Sequence, residues 1–351
     1  MNPLPHHEFH DGLNATFGEL NGQEVVNTYG SVADEYRFLR SSAGVIDLSF
    51  RGRVCVLGDD RATYLHGQLT QNINAIATGQ GAYSALCNHK GRCESDLNVF
   101  NLENEILLDF EPGLTDRVSD RLNKNIVADD VELCDVAPHF GLISVQGPKS
   151  AEVVSKLGLE LETPTESRAI VWTEDPTLGQ IYLARFDRLN TVGFDLYISQ
   201  ESVPAITDKL IAAAKELDGG PVGWGAFETA RISAGIPRFG QDMTEANLVP
   251  EAGIADAAVS YKKGCYIGQE ILNRLHTFAE VSKQLRVLKI IQPDKRPEDG
   301  AQIECDGKTV GKITSVASSG ALGYVHKSAF EAGTLKVGGL EATQSQVAVV
   351  P

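Results

Sequence analysis

The stretch of this chain best suited to chemistry is Tyr261-Lys262-Lys263-Gly264-Cys265-Tyr266-Ile267-Gly268-Gln269-Glu270. Two lysines precede Cys265, glycines flank it, and a helix-forming run from Gln269 to Leu275 follows. Gly264 and Gly268 let the backbone turn tightly and leave the sulfur approachable. Nearby ammonium groups and the positive end of the following helix both stabilise a thiolate. Such a thiolate could attack an electrophile, exchange with a disulfide or bind soft iron. The same residues also suit a loop cysteine packed as a small hydrophobe with its lysines in water. Both readings stay open on the residues alone. No second cysteine stands within local ligand spacing, so no stable protein-only metal site is expected.

Other motifs fail on spacing. Gly307-Lys308-Thr309 ends like a phosphate-binding loop, but Gln302 stands where its first glycine belongs. Gly79-Gln80-Gly81 lacks the third glycine and the helix of a dinucleotide fingerprint. There is no GxSxG, HExxH or calcium-loop pattern. His6, His7 and His10 crowd a terminus, where a metal cluster is a poor expectation.

The elements that must position Cys265 read as mixed blocks. Residues 1–30, polar and rich in Asn, Gly and His, are expected to be a loosely ordered lead-in. Apolar runs at 81–86, 97–100, 105–110, 140–146, 180–185 and 193–199 predict strands. Leu114, Val118, Leu122 and Ile126 repeat every four residues and predict an amphipathic helix. A second helix follows Ser202 and stops at Asp218-Gly219-Gly220. Strands and helices do not alternate strictly, which favours an α+β fold over a doubly wound sheet. From 283 to 351 short extended runs predict a small β module, with Asp306-Gly307 as a type I′ hairpin turn. The preceding region, 31–282, divides near 138.

Composition excludes several classes. With 31 Lys+Arg against 47 Asp+Glu, the net charge of −16 disfavours nucleic acid and anionic membrane surfaces. No apolar run reaches the roughly 20 residues of a membrane helix, and the start has no secretory signal. Six cysteines without a CxxC pair argue against a disulfide framework and for a reducing cytoplasm.

Lys263-Gly-Cys-Tyr-x-Gly-Gln-Glu270 resembles the signature of the YgfZ family of folate-binding proteins, within the aminomethyltransferase (glycine-cleavage T-protein) superfamily. The likeness runs from about 40 to 351. It includes Arg231-x-x-x-Gly235-x-Pro237, Gly240-x-Asp242, Glu251-Ala-Gly253, Gly67-Gln-Leu-Thr-Gln-Asn72 and Gln146-Gly-Pro-Lys-Ser150. It implies two α+β portions and a small β-barrel around a folate channel. By matching positions, Tyr83 would contact the pterin, Asp96 would face the reactive folate nitrogens, and Arg231 would anchor the cofactor. A flat heteroaromatic with an anionic tail needs such a ring, carboxylate and cation. Each also has a plainer reading: Tyr83 as a strand-face core residue, Asp96 as a turn cap, Arg231 as a partner of Glu228.

The resemblance implies a tetrahydrofolate-binding accessory protein for assembly or repair of iron–sulfur enzymes, working as a monomer. Cys265 would be the working thiol, Lys263 would tune it, and Gln269 or Glu270 would position neighbouring groups. Two departures count against aminomethyl transfer, the second activity considered. Ser95-Asp96 replaces paired aspartates, and Thr191 replaces a glutamate that holds the pterin. A third possibility is a binding module for another aromatic anion, with Cys265 structural.

Overall fold

Period-two burial explains the architecture. In the strand Gly52–Leu57, Val54 and Val56 point to one apolar cluster while Cys55 points to another. Phe140–Gln146 does the same, with Ile143 and Val145 on one side and Leu142 on the other. Strands covered on both faces read as unbroken apolar runs, which is why they were legible as strands but not as facing any particular way. The computed structural model describes residues 1–278, 280–292, 294–318 and 320–348.

Two sheets pack face to face. One has the order Gln80–Cys87, Cys93–Asn101, Ile106–Phe110, Gly52–Leu57, Glu132–Asp135. The other has the order Ile170–Asp175, Gly179–Arg185, Gly193–Ser199, Phe140–Gln146, Gly44–Asp47, Gly220–Pro221. Outside the first sheet lie the helices Arg61–Gln68 and Thr115–Asn123, which bury Leu65, Val118 and Leu122. Outside the second lies Val203–Lys215, with Ile206 and Leu210 inward. The fold is α+β, with sheets inside and helices outside.

From Lys283 the chain forms a closed six-stranded barrel, strand order Lys283–Ile290, Gly320–His326, Lys308–Val316, Gln302–Cys305, Leu335–Val337, Leu340–Gln346. Its hairpin turn has φ of 49° at Asp306 and 75° at Gly307, the type I′ signature. Leu285, Leu322 and Val347 pack it against Ile232 of the helix Trp224–Ser233.

Residues 1–30 correct an expectation. They are not a loose lead-in but a helix, His7–Gly12, and a hairpin, Thr16–Leu20 with Gln23–Thr28. Leu4, Leu20, Val25 and Val26 enter the inter-sheet core. Histidines that make the segment look polar are bonded inward: His10 Nε2 lies 2.9 Å from Asp47 Oδ2, and its Nδ1 lies 2.7 Å from the Tyr29 hydroxyl.

Candidate functional site

The face that each sheet turns to the other carries polar residues as well as apolar ones, and these build the site. Asp96 and Asn98 share that face of Cys93–Asn101, with Asn98 directly opposite Tyr83 across the ladder. Tyr83, Asp96, Asn98 and Glu111 line a cavity of about 660 Å³, its mouth included. Arg51, Arg168, Arg188 and Arg238 enter the same space, and Phe186, Trp224 and Phe227 give it aromatic walls.

Tyr83 donates its hydroxyl hydrogen to Asp96 Oδ2 at 2.8 Å. The other oxygen, Oδ1, is buried without a partner. Burial, joined by the Glu111 charge, lifts the Asp96 carboxyl to about 6, against the opposing pull of Tyr83 and Arg51. At neutral pH it is an acceptor that can be protonated at little cost, the condition for holding or moving a proton. Above the Tyr83 ring stands the Arg168 guanidinium, 5.8 Å from its centroid and 5.3 Å from that of Phe186.

Behind these residues lies an ion cluster. Arg51 donates from Nε and Nη2 to the two Asp109 oxygens at 2.8 and 3.2 Å, and from Nη1 to Glu111. Arg188 reaches Asp109 at 3.1 Å and Asp195 from Nε at 2.8 Å. Burial would raise the Asp109 carboxyl, but Arg51 and Arg188 outweigh it and hold it well below the usual range. Sequence reading missed this cluster. Its signal was there: Asp109 and Asp195 are carboxylates inside otherwise apolar strands, Ile106–Phe110 and Gly193–Ser199.

Arg231 borders the cavity, but its guanidinium is engaged elsewhere. It donates to Glu228 Oε2 at 2.8 Å, to Asp242 Oδ2 at 2.5 Å and to Ser315 Oγ of the barrel at 3.0 Å. Only 3% exposed, it holds the barrel to the body rather than offering a free cation. Thr191 does not line the cavity.

Cys265 lies elsewhere. It is exposed, in an open surface depression shared with Gly67, His89, Gln269 and Glu270. No residue lines both hollows, so Gln269 and Glu270 are not brought to the cavity that holds Tyr83 and Asp96. Tyr83 and Cys87, whose side chain touches the Gly268 turn, are four residues apart on one strand. That separation is about 13 Å.

Lys263 does not reach for the thiol. Its ammonium donates to the main-chain carbonyls of His66, Leu69 and Gln71, the last two at 2.8 Å, and lies 4.8 Å from the Tyr266 ring centroid. Burial lowers it to about 8. The lysine therefore pins the cysteine loop to the helix Arg61–Gln68 and the turn after it. Gly268 has φ of 88°, and a Cβ there would meet the Asn88 carbonyl at 2.7 Å, so this position requires glycine. Much of the motif is explained as loop geometry that presents Cys265 outward.

The lining of the central cavity suits tetrahydrofolate in its chemistry: an unpartnered buried carboxylate oxygen, aromatic walls and several guanidinium groups.

Comparison with known proteins gives a family. Residues 6–263 match the GCVT N-terminal domain, and 285–351 match the CAF17 C-terminal β-barrel domain. The chain is 31% identical over 341 residues to a chloroplastic protein of Arabidopsis thaliana named as a transferase, covering 95% of this chain and 77% of that one. It is 28% identical over 329 residues to an aminomethyltransferase of Corynebacterium aurimucosum, covering 91% and 87%. A solved structure, the glycine cleavage system aminomethyltransferase T of Bartonella henselae, has a TM-score of 0.87 at 22% identity, covering 99% of this chain and 97% of that one. That likeness carries the fold. Among the described residues, no helix is long and apolar enough to cross a membrane.

Proposed function

This chain belongs to the glycine-cleavage T-protein family defined by the GCVT N-terminal domain, and from that membership we propose a tetrahydrofolate-binding protein of the YgfZ branch that serves iron–sulfur enzymes. The observation that carries the folate clause is the unpartnered Oδ1 of Asp96, held by Tyr83 in an aromatic cavity. Tetrahydrofolate supplies nitrogens that take up or release a one-carbon unit. Tyr83 fixes one Asp96 oxygen and leaves the other to face the ligand. Asp96 holds or moves a proton at that oxygen. Phe186 and Trp224 enclose a flat ring, and the arginine-rich walls suit an anionic tail.

Thr191 and Ser95 favour this reading over aminomethyl transfer, because two carboxylates of the transferases are missing. The iron–sulfur clause rests on the cysteine motif and on the barrel match to the CAF17 domain. In this reading Cys265 acts at the surface, toward a client or assembly protein, and not on the folate. The protein works as a monomer in a reducing cytoplasm.

Calorimetry with 5-formyltetrahydrofolate tests the first clause: saturable binding is expected, lost in Asp96→Asn. Rescue of iron–sulfur enzyme activity in a deletion strain tests the second, with Cys265→Ala failing to rescue while still binding folate. A folate-dependent transfer abolished by Asp96→Asn and intact in Cys265→Ala would instead favour the transferase.

A further inference from the structure

A second hollow opens between the same two sheets. Arg51 and Arg53 are two residues apart on one face, yet Arg51 borders the central cavity and Arg53 borders this other space of about 500 Å³, its mouth included. No residue lines both.

Arg53 is fully buried, and its bonds go to carbonyls alone: Arg51 at 3.2 Å, Ser49 at 3.1 Å, Ala137 at 3.3 Å and Phe140 at 2.7 Å. Carbonyl oxygens orient a guanidinium without neutralising it. Among the described residues it has no ion-pair partner. Of the carboxylates whose charge it feels, Asp109 is taken by Arg51 and Arg188, and Asp47 by His10. Its Nε–H is buried without an acceptor. Tyr197, 2% exposed, borders the same hollow, and its hydroxyl is also without a partner. A buried cation lacking a counter-ion beside an unsatisfied hydroxyl is an expensive arrangement to leave empty.

We propose that this hollow binds a small aromatic monocarboxylate, its carboxylate held by Arg53 Nε and the Tyr197 hydroxyl. Two donors match the two oxygens of one carboxylate. Most of the remaining wall is apolar or aromatic, with Leu107, Val136, Phe140 and Tyr182, and Glu105 and Gln180 are its polar members. Phosphate is excluded by chemistry. The Arg53 Nη groups already serve carbonyls, and Glu105 on the wall would repel a second negative charge.

Benzoate is the probe, titrated into the full chain by calorimetry and by melting temperature. Saturable binding with one site and a rise in Tm are expected. Arg53→Met and Tyr197→Phe should each weaken binding at least tenfold, whereas Asp96→Asn should leave it unchanged. Tyr197→Phe removes a single oxygen and keeps the test alive if Arg53→Met does not fold. The proposal is overturned by no saturable binding at millimolar benzoate, by unchanged affinity in Tyr197→Phe, by loss in Asp96→Asn, or by inorganic phosphate binding as well as benzoate.

Discussion

The central cavity and the Cys265 depression place chemistry in opposite physical settings. In the cavity, charges are buried between two sheets and largely fixed by mutual pairing, while Asp96 Oδ1 is held there without a hydrogen-bond partner. At the depression, the sulfur stands in solvent on a loop whose neighbours are engaged by main-chain carbonyls. The first setting suits a small molecule that must be desolvated and oriented. The second suits a macromolecule that must reach one atom. One chain therefore carries one candidate site that is enclosed and another that is presented at the surface.

Breaking the ion cluster should have the largest effect. Asp109→Ala leaves Arg51 and Arg188 partly uncompensated in the interior and should cost about 3–5 kcal/mol of stability in denaturant unfolding. An unchanged midpoint would mean that the cluster does not hold the cavity wall. Next comes the pin under the cysteine loop. Lys263→Met leaves three carbonyls without their shared donor and should cost about 2–3 kcal/mol. It should also increase hydrogen exchange over 261–268, which would erase the difference between a presented and a mobile thiol.

Asp96 gives a smaller effect of opposite sign. Its folded carboxyl titrates near 6, above the ordinary aspartate value of about 4. Ionisation is therefore disfavoured in the folded protein. The resulting penalty is absent below about pH 4, grows between 4 and 6, and is fully present above 6. Asp96→Asn should stabilise the ligand-free protein by about 1–3 kcal/mol at pH 8 and by almost nothing near pH 4, while weakening folate. Equal stabilisation at both pH values would contradict a raised carboxyl. The smallest effect belongs to Cys265→Ser. An exposed side chain should change stability by less than about 0.5 kcal/mol, so its loss of function would sharpen the contrast with the enclosed site.

The apolar periods were legible in the residues. Phe140–Gln146 and Gly193–Ser199 are strands over the ranges their patterns predict. Tyr83 and Asp96 were named from the resemblance, and the structure places them in hydrogen-bond contact. What the residues did not reveal was partner choice. Arg231 has the type and position of an anchor, but Asp242 and Ser315, 11 and 84 residues away, occupy it. Lys263 lies beside Cys265 in sequence yet bonds to carbonyls nearly 200 residues away. The lead-in misled for a related reason: His10 is polar by type and completely buried by virtue of Asp47 and Tyr29.

The clasp around Asp242 has a consequence for how the interior is reached. Its carboxylate accepts from Arg231, Thr314 and Ser315 at once. Swinging the barrel outward would strip this sealed carboxylate of its two barrel donors, Thr314 and Ser315, and break the Arg231–Ser315 bond as well, a penalty that rules the hinge out as an everyday door. Traffic to and from the interior must then use the gaps between rigid parts, and the pace of exchange should follow side-chain motion rather than displacement of whole domains.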